Sequence, residues 1–95
     1  MFFRPYQIAA LDLLWSSDEH LSSREVWDKV NQVLPGTISR ASIINFLNDS
    51  VENDLLDFKE TTGKGGYRRL YTPKRSKPET AEYLSKIVKT QLETL

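Results

Sequence analysis

"LLDFKETTGKGGYRRLYTP", residues 55–73, decides how the rest of the chain is read. Upstream of it, apolar residues return every three or four positions. Within it, two short runs containing aromatics, "LLDFKE" and "YRRLYT", flank "TTGKGG". A change from helical to strand spacing around a glycine-rich gap predicts a β-hairpin, which Pro73 closes. A phosphate-binding loop would need G-x-x-x-x-G-K-[ST] between a buried strand and a helix, so that the helix N-terminus holds the anion. Here Gly65 follows Lys64, no Ser or Thr is placed to hold magnesium, and a strand follows instead of a helix. The stretch therefore reads as a hairpin that carries positive charge.

The segments around the hairpin read as helices. In "SRASIINFLNDSVEND", residues 39–54, Ser39 is placed as a cap and Ile43, Phe46, Leu47 and Val51 recur at helical intervals. Before it, "LSSREVWDKVNQVL", residues 21–34, pairs Ser22 with Glu25 as a capping box and Leu21 with Val26 as a hydrophobic staple. Val26 and Val30, with Val33 or Leu34, form its inward stripe, and Pro35-Gly36 ends it. "YQIAALDLLW", residues 6–15, buries a face through Ile8, Leu11, Leu14 and Trp15. After the hairpin, Ser76 and Glu79 open a last helix, with Pro78 in its first turn. Its apolar stripe runs through Ala81, Leu84, Val88, Leu92 and Leu95, opposite Glu82, Lys86, Lys89 and Glu93. The fold class expected is mainly α with a small β-hairpin.

Ninety-five residues suffice for one modest core and do not suggest a second. There is no cysteine, which excludes disulfides, thiolate metal sites and thiol catalysis. "MFFRP" is too short and too soon interrupted for a secretory signal, and no apolar run approaches the ~20 residues of a membrane span. The expectation is a cytoplasmic protein with no membrane partner. No serine has a histidine and a carboxylate at recognisable spacing, and no paired carboxylates lie in an apolar setting, so no catalytic residue is assigned. Asp18, Glu19 and His20 are adjacent in a turn and cannot converge on one ion; no metal or cofactor is expected. Trp15 is expected in the core, and Trp27 at an edge or a contact between copies, because Val26 already fills the inward position.

Thirteen cations balance thirteen anions, but they are unevenly sorted. Residues 59–77 hold Lys59, Lys64, Arg68, Arg69, Lys74, Arg75 and Lys77 against the single acid Glu60, a local balance of +6. Residues 41–58 hold Asp49, Glu52, Asp54 and Asp57 with no cation, a balance of −4.

Helix, link, helix, turn, helix and then a cationic hairpin is the order of a winged helix-turn-helix, whose third helix enters a groove of double-stranded DNA while the hairpin lies on the backbone. On the third helix Ser39, Arg40, Ser42, Ile44, Asn45 and Asn48 are the candidates for contact. Asn45 suits adenine, Arg40 suits guanine or a phosphate, and Ile44 suits a thymine methyl. On the hairpin, Lys64, Arg68 and Arg69 are candidates for neutralising phosphates. The alternative reading is a winged-helix module that binds another protein through the acidic surface 49–57.

"LLW" at 13–15, "LSSREVWDKV" at 21–30, "SIINFLNDSVENDLL" at 42–56 and "YRRLYTP" at 67–73 resemble the penicillinase-repressor family of winged helix-turn-helix transcriptional regulators. Where that family carries basic residues and glycine late in the third helix and just after it, this chain has Asp49, Asn53 and Asp54, and Ser50 takes a usually apolar position. The resemblance implies a homodimeric repressor of a palindromic operator, with residues 1–75 binding DNA and residues 76–95 joining the protomers. Leu84, Ile87, Val88, Leu92 and Leu95 are the expected dimer contacts, and the "MFF" start could join them. The sequence specifies no inducing ligand.

Overall fold

Capping chemistry sets the helices. The computed structural model describes residues 3–63 and 66–94, without the side chain of Tyr67. α1 spans Pro5–Ser16, β1 Leu21–Ser22, α2 Ser23–Val33, α3 Arg40–Glu52, β2 Leu56–Gly63, β3 Gly66–Pro73 and α4 Lys77–Glu93. Ser22 and Glu25 close the expected capping box of α2, Ser39 caps α3 by accepting from the Ser42 amide, and Ser76 with Glu79 does the same for α4. Each cap satisfies amides that the first helical turn leaves without a partner.

The strands form one antiparallel sheet in the order β1-β3-β2. In the hairpin Phe58 lies opposite Tyr71, Lys59 opposite Leu70, Glu60 opposite Arg69 and Thr61 opposite Arg68. β1 adds two residues to the other edge of β3, with Leu21 opposite Tyr71. Sequence reading took Leu21 and Ser22 only as staple and cap; they also form this strand.

The core unites α1, α2, α3 and the sheet: Ala10, Leu11, Leu14, Leu21, Val26, Val30, Ile43, Phe46, Leu47, Leu56 and Tyr71. One stripe position differs from expectation: Ile8 is 48% exposed. Of the two alternatives at the end of α2, Leu34 packs on the core and Val33 is 62% exposed. The buried face of α1 is narrower than its apolar stripe, because α2 and β3 cover only the Ala10, Leu11 and Leu14 side. Ser50 is buried in α3, and its hydroxyl donates to the Phe46 carbonyl at 2.7 Å, so a polar side chain stands at an inward position without an unmet hydrogen bond.

No residue of α4 belongs to this core, and Thr80 is the helix's one buried residue among those described. The radius of gyration is 14.2 Å and the longest dimension 48 Å, against ~12.4 Å for a compact chain of this length. The excess is α4, which touches the body in its first turns and then runs past it. The architecture is thus a winged helix-turn-helix with an added C-terminal helix, and no helix among the described residues is long and apolar enough to cross a membrane.

Candidate nucleic-acid interface

α3 is mounted rigidly. Ile43, Phe46, Leu47 and Ser50 point into the core at three- and four-residue steps, which turns Ala41, Asn45, Asn48 and Glu52 to the opposite side, with Asp49 beside them. The turn before it is held by polar groups of α2. Trp27 Nε1 donates to the Ile38 carbonyl at 2.7 Å, Asn31 Nδ2 donates to the same oxygen at 3.2 Å, and Asn31 Oδ1 accepts from the Ile38 amide at 2.7 Å. Trp27, expected at an edge or between copies, packs on the core instead and clamps the α2–α3 turn. With both the inner face and the entry of α3 fixed, its outer face is presented at a defined angle.

That outer face has two ends of opposite character. The first half, Arg40, Ala41 and Asn45, is exposed and carries no acid. The second half brings Asp49 and Glu52 to the surface. The acid that follows, Asp54, is withdrawn from this patch: it binds Lys74, and Arg75 Nη2 reaches its other oxygen at 3.2 Å. Its backbone adopts φ 66°, the left-handed conformation that glycine takes readily and that Asp and Asn tolerate better than other residues. The Lys74 and Arg75 hydrogen bonds hold the Asp54 carboxyl below its ordinary value of 3.8.

The remaining sequence-predicted residues take distinct positions. Ser39 spends its hydroxyl inside the cap, accepting from the Ser42 amide at 3.1 Å and donating to Ser42 Oγ at 2.8 Å. Ser42 is half-buried and keeps a hydroxyl proton to donate; Ile44 is half-buried on the flank of the helix. Asn48 is engaged by the wing: its Oδ1 accepts from Tyr71 OH at 2.6 Å and from Arg69 Nη1 at 3.2 Å. The Arg69 guanidinium also lies over the Phe58 ring, 4.2 Å from its centroid.

The described cations of residues 59–77 divide between different surfaces. Successive strand residues face opposite sides of a sheet, so Arg68 and Arg69 part company. Arg69 shares a face with Phe58, Glu60 and Tyr71, toward α3, whereas Arg68 shares the other with Lys59, Thr61 and Leu70. Lys59 and Arg68 are exposed. Lys74, Arg75 and Lys77 belong to the wing root: besides Asp54, Arg75 stacks on Tyr83 at 3.9 Å, and Lys77 bonds Asp12 at 2.9 Å and lies 5.7 Å from the Trp15 ring centre. Trp15 in turn donates Nε1–H to the Arg75 carbonyl at 3.1 Å. Lys64 lies outside the described residues. Two exposed residues that sequence reading did not single out join the candidate surface. Lys59 could have been found from strand register with Arg68, and Ala41 from its place opposite the buried stripe.

The C-terminal helix carries the second candidate surface. Leu84, Ile87 and Val88 are half-buried, Leu92 is 63% exposed, and Leu95 lies outside the described residues, as do Met1 and Phe2. Phe3, Ile8, Leu11 and Trp15 of the α1 side face Ala81 and Leu84 across an apolar groove of about 200 Å³.

No protein-family model matches the chain, and no curated protein matches it. The solved structures that share its fold include the following two. Bacillus subtilis PadR, solved in complex with operator DNA, superposes with a TM-score of 0.65 at 22% identity, over 85% of this chain and 47% of its own. The Helicobacter pylori ferric uptake regulator Fur, described with three functional metal-binding sites, superposes with a TM-score of 0.62 at 20% identity, over 96% of this chain and 70% of its own. This chain thus spans about half the length of the PadR chain it matches.

Proposed function

We propose that the chain is a sequence-specific DNA-binding transcriptional regulator, acting as a homodimeric repressor, in which α3 enters the major groove and the outer face of the hairpin lies on phosphates. The observation that carries this reading is the outer side of the first half of α3, Arg40, Ala41 and Asn45: exposed, free of acids, and fixed by a cap, a clamped turn and four buried residues. A recognition helix reads base edges chiefly with its N-terminal residues. Arg40 then takes guanine or a phosphate, Ala41 a thymine methyl and Asn45 adenine, while the Ser42 hydroxyl donates to the backbone. The PadR structure, with operator DNA on the same fold, supports the direction of this reading.

Residues 1–75 form the DNA-binding unit in this scheme and residues 76–95 the joint between protomers. Leu84, Ile87, Val88 and Leu92 lie on one side of α4, and the half of that stripe beyond Leu84 has nothing of its own chain to cover it among the described residues. A twofold pairing would cover it. Val88→Asp with Leu92→Asp should convert a sedimenting dimer to a monomer; an unchanged mass removes α4 from the joint.

Selection of bound duplexes from a random pool is the decisive test: an enriched palindrome is expected, and a pool that stays random ends the proposal. The exposed pair Asp49 and Glu52 favours a second reading, a docking surface for a basic protein. Under the DNA reading, Asp49→Lys with Glu52→Lys should tighten duplex binding, because two repulsions are removed; loss of a protein partner with no gain for duplex would favour the second reading.

A further inference from the structure

We infer that Asn48 is locked by the wing as a hydrogen-bond donor only, so that it selects guanine rather than adenine at the base pair it meets. This inference deepens the proposed function and rests on it. Asparagine in a major groove ordinarily reads adenine, because the amide offers one acceptor and one donor to adenine N6 and N7. That match requires a free Oδ1. Here Oδ1 is occupied twice, by Tyr71 OH at 2.6 Å and Arg69 Nη1 at 3.2 Å, which fills both lone pairs of an amide oxygen.

The orientation of the amide follows from chemistry. A guanidinium has no acceptor, so the atom facing Arg69 must be the oxygen and not the nitrogen. Oxygen only accepts, so Tyr71 must be the donor in its bond. Burial pushes the Tyr71 phenol above its ordinary value of 10.0, although the neighbouring Arg69 opposes this, and the hydroxyl therefore keeps its proton. Tyr71 is core, which fixes its hydroxyl beside Oδ1, and Arg69, although exposed, stacks on Phe58. What remains of Asn48 for a ligand is the Nδ2 group with two N–H donors. Guanine presents two acceptors side by side, O6 and N7, whereas adenine sets its own N6 donor against one of them.

Asn48 stands one turn after Asn45 on the same side of α3. Two asparagines on one helix face thus differ: Asn45 is exposed, with its amide unbound by any other described side chain, and suits adenine, while Asn48 suits guanine.

The experiment compares duplexes selected from a random pool by three full-length proteins, the natural chain, Asn48→Ala, and Arg69→Met with Tyr71→Phe, each first checked for cooperative thermal unfolding. For the natural chain one position should favour guanine over adenine by about tenfold, within the range of one good base contact. Asn48→Ala should flatten that position and leave the others. The double variant frees Oδ1 and should move the preference there toward adenine. If Asn48→Ala alters no position, or if the position it alters holds adenine in the natural chain, the inference fails while the DNA reading stands. If the natural chain enriches nothing, both fail.

Discussion

The root of the wing and its blade draw on the same run of cations and use them in opposite ways. At the root, Lys74, Arg75 and Lys77 each have a carboxylate within reach, and two of them also lie on aromatic rings. On the blade, Lys59 and Arg68 stand in solvent on the face turned away from α3, with Arg69 on the other face held by Asn48 and Phe58. The difference teaches that local charge density in a sequence does not measure the charge offered to a ligand. What counts is how many of those charges the fold has already neutralised, and here the carboxylates that do so come from Asp12 and Asp54, far along the chain.

The largest expected effect sharpens this division. Arg75 is half-buried; it donates to the Asp54 carbonyl at 2.6 Å, pairs with the Asp54 carboxylate and stacks on Tyr83. A hydrogen bond from a charged donor is worth about 1.5–3 kcal/mol, and losing half of that would lower the melting temperature of a domain this size by roughly 3–12 °C. Arg75→Ala should show that loss by calorimetry, while the salt dependence of duplex binding stays as it was. A variant that melts normally but binds duplex with a shallower salt slope would place Arg75 on the blade's side of the comparison.

The converse substitution is expected to be silent in stability. Arg68→Ala and Lys59→Ala remove solvated side chains, so melting should shift by no more than the equivalent of about 0.5 kcal/mol. In duplex titration at several salt concentrations, each should reduce the slope of log K against log salt by about 0.9, the value for one phosphate contact. An unchanged slope in both would take the hairpin out of the binding surface.

How much of this was legible in the sequence depended on distance along the chain. Caps span three residues, so Ser22 with Glu25, Ser39, and Ser76 with Glu79 could be read directly, and with them the starts of α2, α3 and α4. The hairpin was legible because its turn and both strands are contiguous. β1 was not, since two residues give no period and their partners lie about fifty positions away on β3. The engagement of Asn48 joins residues 21 and 23 positions apart, and Lys77 meets Asp12 across 65. These depend on how the sheet packs on α3 and how α4 leaves the wing. The exposure of Ile8 has the same origin: periodicity shows an apolar stripe but not how much of it the neighbouring elements cover.

The smallest expected effect is electrostatic and tests the root alone. Hydrogen bonds from Lys74 and then Arg75 lower the Asp54 pKa, and the Asp54 hydrogen bond raises that of Lys74 above its ordinary 10.5. A lowered carboxylate stabilises the fold fully above its unfolded value of 3.8, and that contribution disappears as the pH falls through the lower folded value. A raised lysine stabilises the fold fully below 10.5 and loses its contribution as the pH climbs through the higher folded value. The pair should therefore add a constant amount of stability from about pH 5 to 9 and fail at both extremes. Glu79, lowered by the Ser76 hydroxyl and amide, adds to the acid limb only. Asp54→Asn keeps a residue that tolerates positive φ and removes the charge, so denaturant unfolding of this variant should show a weaker dependence on pH on the acid side, with the Glu79 part left over. An acid limb identical to that of the natural chain would mean that the exposed pair is screened by water as fully as an isolated surface ion pair, and that Arg75 holds the root through its stacking and its bond to the backbone.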